Sequence, residues 1–212
     1  MTTPKQKTNI LHFTHHENLV TILHAGGLTC DSSLSQEDYV NVGNRRIKER
    51  RAQRGVPTPP FGVVADYVPF YFAPRSPMLF SIYKGNVPGC SYTQDQVVYL
   101  VSDAETVGSK LSWCFTDRNA SLASASFFND LSLLSNNLDW PLLKSNYWAN
   151  TPDDVERVER RMAEFLAHRF LPWSFVRGIG VYDEKHLGYV KKVLNDHGDK
   201  STQTKILRAW YF

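Results

Sequence analysis

Short apolar runs separated by turn residues predict an α+β fold. β-branched and aromatic residues concentrate in six runs that we interpret as strands, at residues 9–13, 63–72, 97–101, 113–116, 178–182 and 206–212. Pro69 interrupts the second run, so an irregularity is expected there. The strands do not alternate regularly with helices, and no Gly-x-Gly-x-x-Gly follows a strand, which disfavours a Rossmann fold.

Helices are predicted where capping residues precede apolar positions at helical spacing. Thr14 and Glu17 have the spacing of a capping box, before a helix that should stop at the glycine pair of residues 26–27. Residues 45–54 contain good helix formers and predict a second helix. Residues 79–83 fit either a strand or a short helix.

The second half of the chain contains a long aperiodic stretch, residues 117–150. Its length inside a compact domain favours a functional loop or a lid with short helices of its own. The sequence Thr-Pro-Asp-Asp at 151–154 is typical of a helix start. Asp183 is expected to cap a helix ending near Gly198. No linker or repeat divides residues 1–212, so a single domain is predicted.

The amino-acid composition narrows the class of protein to which the chain can belong. The chain has 212 residues, of which 42% are hydrophobic and 21% are charged, as in ordinary globular proteins. No apolar run approaches the roughly 20 residues that cross a bilayer, and the polar first residues do not resemble a signal peptide, so a cytoplasmic protein without membrane attachment is expected. The three cysteines lack metal-ligand spacing and the pair His15-His16 is too close for i,i+4 ligation, so no metal is predicted.

Positive charge is concentrated in one segment. Residues 45–54 contain six basic residues against Glu49, a net +5, so the rest of a chain with a total of +3 carries −2. Such a segment favours an anionic ligand, either a phosphate chain or nucleic acid. A solvated basic helix face is the alternative.

Glu164 is the only charged residue in the apolar run 162–167. Burying a carboxylate without a partner costs several kcal/mol. It must therefore have a partner, face solvent or take part in chemistry. The run itself does not distinguish a wet helix face from a catalytic group.

Four motifs in order resemble the DarT family. They are His12-Phe13-Thr14-His15, Gly43 with the basic Ile-Lys-Glu-Arg-Arg of 47–51, the string Tyr-Phe-Ala-Pro-Arg-Ser-Pro-Met within 67–79, and Arg-Met-Ala-Glu-Phe-Leu at 161–166. DarT toxins are NAD-dependent ADP-ribosyltransferases that modify bases in single-stranded DNA. The resemblance covers nearly the whole chain, and the 67–79 string favours thymidine as the base.

The resemblance implies an ADP-ribosyltransferase fold, in which two small sheets form a cleft for NAD. It implies that Glu164 is catalytic and lies on a strand. Leu166 and His168 would then share its face, and Phe165 would enter the core. An NAD-binding segment at about 35–56 and a substrate-recognising (ADP-ribosylating turn-turn) loop at about 117–160, here called the substrate loop, are also implied.

Arg51 is the second catalytic candidate that the resemblance implies. The family role is proton acceptor from the base, but an arginine keeps its proton, so we expect electrostatic activation of the base instead. Arg50 is the alternative if the register differs by one. The residues expected to bind NAD are His12, Phe13, Thr14, Asn18, Leu28, Gly43, Arg51 and Tyr71.

DNA contacts are expected from aromatic and basic residues on or near the substrate loop, because bases stack on aromatic rings and phosphates attract Lys and Arg. The candidates are Arg75, Met78, Arg118, Asn119, Lys144, Trp148 and Arg157. The expected partners are single-stranded DNA, NAD and, by resemblance, the macrodomain antitoxin DarG, with the protein itself a monomer. The alternative functions are a non-catalytic single-stranded nucleic-acid binder and an ADP-ribosyltransferase acting on protein or RNA.

Overall fold

Ten strands form two sheets in the part of the chain that the computed structural model describes, residues 7–35 and 39–212. The strands are β1 (Asn9–His15), β2 (Gly27–Thr29), β3 (Tyr67–Tyr71), β4 (Val97–Asp103), β5 (Trp113–Thr116), β6 (Phe127–Phe128), β7 (Glu164–His168), β8 (Phe170–Pro172), β9 (Gly178–Val181) and β10 (Gln203–Ile206). The large sheet has the order β10-β9-β4-β1-β3-β7-β5-β6, and β2 pairs with β8 in the small one. The α+β class is confirmed.

The large sheet consists of two four-stranded halves that are weakly joined. β1 pairs with β4 over its full length, but in the described residues its register with β3 is a single pair, Leu11 opposite Tyr71. Pro69 lies in β3 and has no N–H to offer a neighbouring strand. Its carbonyl is instead 2.8 Å from Nδ1 of the His12 side chain. The expected irregularity at Pro69 therefore lies at the junction of the halves.

Eight α-helices surround the sheets within the described residues. They are α1 (Asn18–His24), α2 (Arg45–Gln53), α3 (Pro77–Tyr83), α4 (Ala104–Gly108), α5 (Leu134–Asn137), α6 (Trp140–Lys144), α7 (Arg157–Arg161) and α8 (Glu184–Asp196). α3 has Ser76 as its N-cap and Pro77 at its start, which resolves residues 79–83 as helix. Asp183 caps α8 as predicted. In the described part of the chain, every helix is too short or too polar to span a membrane.

Two predicted helix starts are wrong. Thr14 belongs to β1, and α1 begins after Glu17 without a side-chain cap, because the Thr14 hydroxyl accepts a hydrogen bond from Asn18 instead. Thr151 and Asp154 exchange backbone hydrogen bonds in a turn, and α7 begins only at Arg157. In both places the capping residue is used by a tertiary or turn contact that local spacing does not reveal.

The predicted terminal strand at 206–212 is also wrong. β10 ends at Ile206, and Arg208–Trp210 form a single 3-10 turn. The hydroxyl of Tyr211 then donates to the carbonyls of Val97 and Gly180, which fixes the terminus against β4 and β9. The apolar residues are used for packing instead of strand pairing.

β7 places alternate side chains on opposite faces. Phe165 is fully buried in the main core and pairs in register with Phe70 of β3. Glu164 pairs in register with Tyr71 and lies on the opposite face. The strand predicted around Glu164 is confirmed, and the sheet register decides which way its carboxylate points.

The substrate loop leaves the sheet after β5 and returns at β7, which is the neighbouring strand. It contains β6, α5, α6 and the first part of α7. Its two ends are tied together, since the backbone N–H of Asn119 donates to the carbonyl of Glu159. The loop is therefore an ordered excursion with short helices, as its composition indicated.

Candidate active site

A cavity of about 330 Å³ lies beside the junction of the two sheet halves. Glu164 contributes to its wall, together with residues from β1, α1, β2, α2 and β3. All eight residues expected to bind NAD line this one cavity: His12, Phe13, Thr14, Asn18, Leu28, Gly43, Arg51 and Tyr71. The fold thus brings these eight residues, which are up to 59 positions apart in the sequence, into the wall of one cavity.

Glu164 is 3% exposed, and each of its carboxylate oxygens accepts one hydrogen bond. Its Oε2 accepts from Nη1 of Arg51 at 2.7 Å, and its Oε1 accepts from the backbone N–H of Ala120 at 2.9 Å. Its own N–H donates to the Thr116 hydroxyl. The carboxylate is therefore a fixed negative charge, held from α2 on one side and from the substrate loop on the other.

Arg51 lies in the last turn of α2 and is 7% exposed. Burial acts to lower the pKa of its guanidinium, but the nearby Glu164 carboxylate acts in the opposite direction, and the net pKa is raised. The side chain is thus a permanent cation. Its Nη2 is buried without a hydrogen-bond partner among the described residues. Nη2 of Arg51 is therefore available to donate to a ligand.

The cavity wall beside Glu164 is aromatic, since Tyr71 pairs in register with Glu164 and lines the same cavity. The ring of Tyr71 stacks on that of Phe13 with centroids 5.7 Å apart. Burial, followed by the charge of Glu164, raises the pKa of the Tyr71 phenol, so the ring stays neutral. Burial lowers the pKa of His12, whose ring is fixed by the Pro69 carbonyl. Both side chains present uncharged, rigid surfaces to the cavity.

Asn18 connects the cavity wall to the segment that is predicted to bind NAD. Its amide exchanges two hydrogen bonds with the backbone of Val40, at 2.8 and 2.7 Å, and also donates to Thr14. Lys48, which the sequence did not single out as a site residue, donates to Asp31 and to the Tyr39 hydroxyl. These contacts hold residues 39–48 beside the cavity.

Two of the DNA candidates, Met78 and Asn119, also line the cavity. Trp148 lies near them and packs edge-on against Phe80. Lys144 is exposed on α6.

The three arginine candidates are already engaged. Arg75 stacks on the ring of Phe212 at 4.7 Å. Arg118 pairs with Asp117, Glu156 and Glu159. Arg157 donates to the carbonyls of Tyr147 and Ala149.

Arg161 was not anticipated, although it lies in a recognised motif. It is 5% exposed and donates to the carbonyls of Leu143 and Pro74. Burial lowers its pKa to about 10, and no carboxylate pairs with it in the described residues. It joins the substrate loop to the turn after β3. Its position three residues before Glu164 is the only signal that the sequence offered.

Comparison with known proteins gives concordant results. The family model described as "ssDNA thymidine ADP-ribosyltransferase, DarT" matches residues 11–212. A DNA ADP-ribosyl transferase from Thermus sp. (strain 2.9) is 38% identical over 98% of this chain and 97% of its own length. The structure of Thermus sp. 2.9 DarT with ADP-ribosylated ssDNA is 37% identical, with a TM-score of 0.91 over 100% of this chain and 99% of that one. The same protein with NAD+ gives a TM-score of 0.85 at 36% identity, with full coverage of both chains. The expected ADP-ribosyltransferase fold is confirmed.

Proposed function

The chain belongs to the DarT family of ssDNA thymidine ADP-ribosyltransferases, and on that premise we propose that it transfers ADP-ribose from NAD to a thymidine base in single-stranded DNA. The observation that carries the proposal is the buried carboxylate of Glu164, 2.7 Å from Arg51, in the wall of a cavity with the predicted NAD residues. Nicotinamide is the second product.

Glu164 supplies the negative charge that the reaction needs. The bond between nicotinamide and ribose breaks with its electron pair leaving on nicotinamide, so positive charge develops on the ribose ring. A carboxylate fixed nearby stabilises that charge and can accept a hydrogen bond from a ribose hydroxyl. Because Arg51 and Ala120 already orient Glu164, little reorganisation is needed at the transition state.

Arg51 acts as a cation and not as a base. Its raised pKa supports the view that it keeps its proton throughout the reaction. The thymine N3–H is a weak acid, and a cation beside it favours the deprotonated base. N3 then forms the new bond to the ribose carbon, and its proton passes to solvent. The unpartnered Nη2 of Arg51 is the donor available for this role.

The nicotinamide end of NAD would bind between β1 and β3. Backbone groups at His12–Thr14 would hold the amide, and the Tyr71 ring offers a neutral face for the flat, cationic nicotinamide. The stacking of Tyr71 on Phe13 supports this assignment, because it fixes the plane of the ring before NAD arrives.

Single-stranded DNA would enter from the side of the substrate loop. Met78 and Asn119, which line the cavity, would contact the target base. Trp148 and the exposed Lys144 would contact its neighbours. Arg75, Arg118 and Arg157 remain candidates, but their existing contacts support a role in shaping the loop that presents the base. A base outside a duplex stack is needed, because a stacked and paired base could not approach the buried Glu164 carboxylate.

The decisive experiment is incubation of the protein with NAD and three acceptors: a thymidine-containing DNA oligonucleotide, the same sequence as RNA, and a mixture of unrelated proteins. We expect a mass gain of one ADP-ribosyl group on the DNA alone, and none on a DNA oligonucleotide without thymidine. Modification of RNA or protein instead would identify a different acceptor. Binding of the DNA without modification would favour a non-catalytic nucleic-acid binder.

A macrodomain antitoxin of the DarG type is the expected partner. Co-expression with such a macrodomain should relieve toxicity and remove the ADP-ribosyl group from modified DNA. The proposed monomer can be checked by light scattering of the purified chain. Persistent toxicity with an active macrodomain would contradict this partnership but leave the transferase reaction untouched.

A further inference from the structure

A second cluster of ionisable side chains lies away from the cavity. Asp95 precedes β4, and Asp183 and His186 lie at the start of α8. One potential metal-ligand atom from each of the three lies within 4.8 Å of the others. None of them lines the cavity described above. The proposed transferase reaction does not use this cluster.

His186 is oriented by its neighbour. The Asp183 carboxylate accepts from the backbone N–H of His186 at 2.9 Å and lies 2.7 Å from Nδ1 of its ring. A carboxylate only accepts, so Nδ1 carries a proton and Nε2 is the nitrogen that a metal ion would bind. The same carboxylate–histidine contact orients histidines that bind metals in other proteins.

The free nitrogen of His186 points at a carboxylate. His186 is 2% exposed, and its Nε2 is buried without a hydrogen-bond partner in the described residues. It lies 3.9 Å from Oδ2 of Asp95, which is too long for a hydrogen bond. A metal ion with bonds of about 2.0–2.2 Å to each atom would fit between them after a small adjustment. Asp95 is partly exposed, at 31% of its side chain, so solvent can reach the site.

A further imidazole lies next to the pair. Nδ1 of His16 is 3.0 Å from the Gln96 carbonyl, so its Nε2 carries the lone pair. The rings of His16 and His186 are 5.2 Å apart between centroids. His16 belongs to the neighbouring group with His15 and Glu17, so the donors grouped here are one imidazole and two carboxylates. The imidazole nitrogen favours divalent transition metals such as Zn²⁺ over Mg²⁺ or Ca²⁺.

We propose that Asp95, Asp183 and His186 form a surface site for one divalent transition metal ion, with Asp183 also orienting the His186 ring. The ion would connect the segment before β4 to the N-terminus of α8. Binding to the folded state alone would stabilise that connection. The competing explanation of the same geometry is a protonated His186 paired with both carboxylates, which needs no metal.

The test is zinc titration of the untagged, chelator-treated protein by calorimetry, with thermal unfolding as a second readout. We expect one zinc ion per chain and a rise in Tm of roughly 5 °C at saturating zinc. Asp95→Asn is the main variant, because Asp95 is partly exposed and its loss should leave the fold intact. It should weaken zinc binding by at least about 10-fold. Magnesium should not compete.

Three control variants distinguish the proposed site from other carboxylates and histidines of the protein. Asp153→Asn removes an exposed carboxylate elsewhere and should bind zinc normally. His197→Gln removes another histidine whose Nε2 is buried and unpartnered in the described chain, but which has no grouped carboxylate, and it should also bind normally. Glu17→Gln tests the neighbouring group of His15, His16 and Glu17. Absence of zinc binding, unchanged affinity in Asp95→Asn, or loss of binding only in Glu17→Gln would each overturn the proposal.

Discussion

The arginines on the two sides of Glu164, the cavity side and the substrate-loop side, differ in their ion-pair partners. On the cavity side, Arg51 contacts the buried carboxylate of Glu164, and its Nη2 has no hydrogen-bond partner among the described residues. On the substrate-loop side, Arg118 and Arg160 contact two or more acidic residues each, all of them partly exposed. Arg118 and Arg160 therefore neutralise acidic residues of the substrate loop. Counting basic residues therefore does not locate a ligand site. Buried guanidinium nitrogens without a partner among the described residues also occur at Arg54, Arg75 and Arg161, so Arg51 is distinguished by its contact with Glu164 in the cavity wall.

Arg161 belongs to neither type. It is as buried as Arg51, but its partners are two carbonyls and its pKa is lowered by burial, whereas the pKa of Arg51 is raised by Glu164. A cation held by carbonyls is positioned for structure, because it satisfies backbone acceptors that water does not reach. Arg161 thus fixes the loop, and Arg51 serves the cavity.

The largest effect is expected from Glu164→Gln. The amide keeps the size of the side chain, and its one oxygen can accept from either Arg51 or the Ala120 N–H. The fold should therefore persist with some loss of stability, but the negative charge that stabilises the ribose cation is gone. ADP-ribosyl transfer to the oligonucleotide should fall on the order of 10³-fold. The matched control on the loop side is Glu159→Gln, which should remain active. Normal labelling by Glu164→Gln would remove Glu164 from the mechanism.

A smaller loss is expected from Arg51→Lys. Lysine keeps the charge but cannot contact Glu164 and a ligand with a rigid fork of donors. The transfer rate should fall on the order of 10²-fold while the protein stays folded. Arg50→Lys, on an exposed position of the same helix, is the control and should show almost full activity. Full activity in Arg51→Lys would refute recognition by the guanidinium shape.

Arg161→Met should act through the loop. The carbonyls of Leu143 and Pro74 lose their donor, so the free energy of unfolding should drop by about 2 kcal/mol in urea denaturation. The KM for DNA should rise while the KM for NAD stays near its wild-type value. Lys191→Met, an exposed change on α8, is the control. Equal changes in both KM values would show that Arg161 supports the cavity as well, and the contrast with Arg51 would be lost.

The smallest effect is expected from acidification. Burial holds the pKa values of His12 and His168 below the ordinary 6.5, so the unfolded chain binds protons more readily than the folded one. Stability from these groups is full above pH 6.5 and is lost as the pH falls toward their folded pKa values.

The substrate loop contains no histidine, so this loss belongs to the body of the protein. The pKa of Asp154 in the loop is lowered from 3.8 by its hydrogen bond to Arg160, so the loop pairs should persist to more acidic pH. Thermal unfolding of wild type and His12→Asn from pH 7.5 to 5.0 checks the difference. Identical pH dependence in the two proteins would contradict the role of His12.

Local signals in the sequence predicted several elements well. The strands at 97–101 and 113–116, the basic helix α2 and the Asp183 cap were readable, because each depends on residues adjacent in the chain. The predictions at Thr14 and 206–212 failed because distant segments use these residues: Thr14 pairs with Val98 between β1 and β4, and Tyr211 donates to Val97 and Gly180. The prediction at 151–154 failed because these residues form a local turn. The role of Glu164 could be suggested only by resemblance, since its own run left both options open.

The sequence by itself determined the α+β class, the family motifs and the residue types available for chemistry. Only the tertiary structure decided that Arg51 meets Glu164, 113 positions away, and that the backbone N–H of Ala120 completes the contact. The pairing depends on the register of β3 with β7, where a slip of one residue would turn the carboxylate into the core. Periodicity sets which residues form a strand, but the face that meets the cavity is set by long-range pairing.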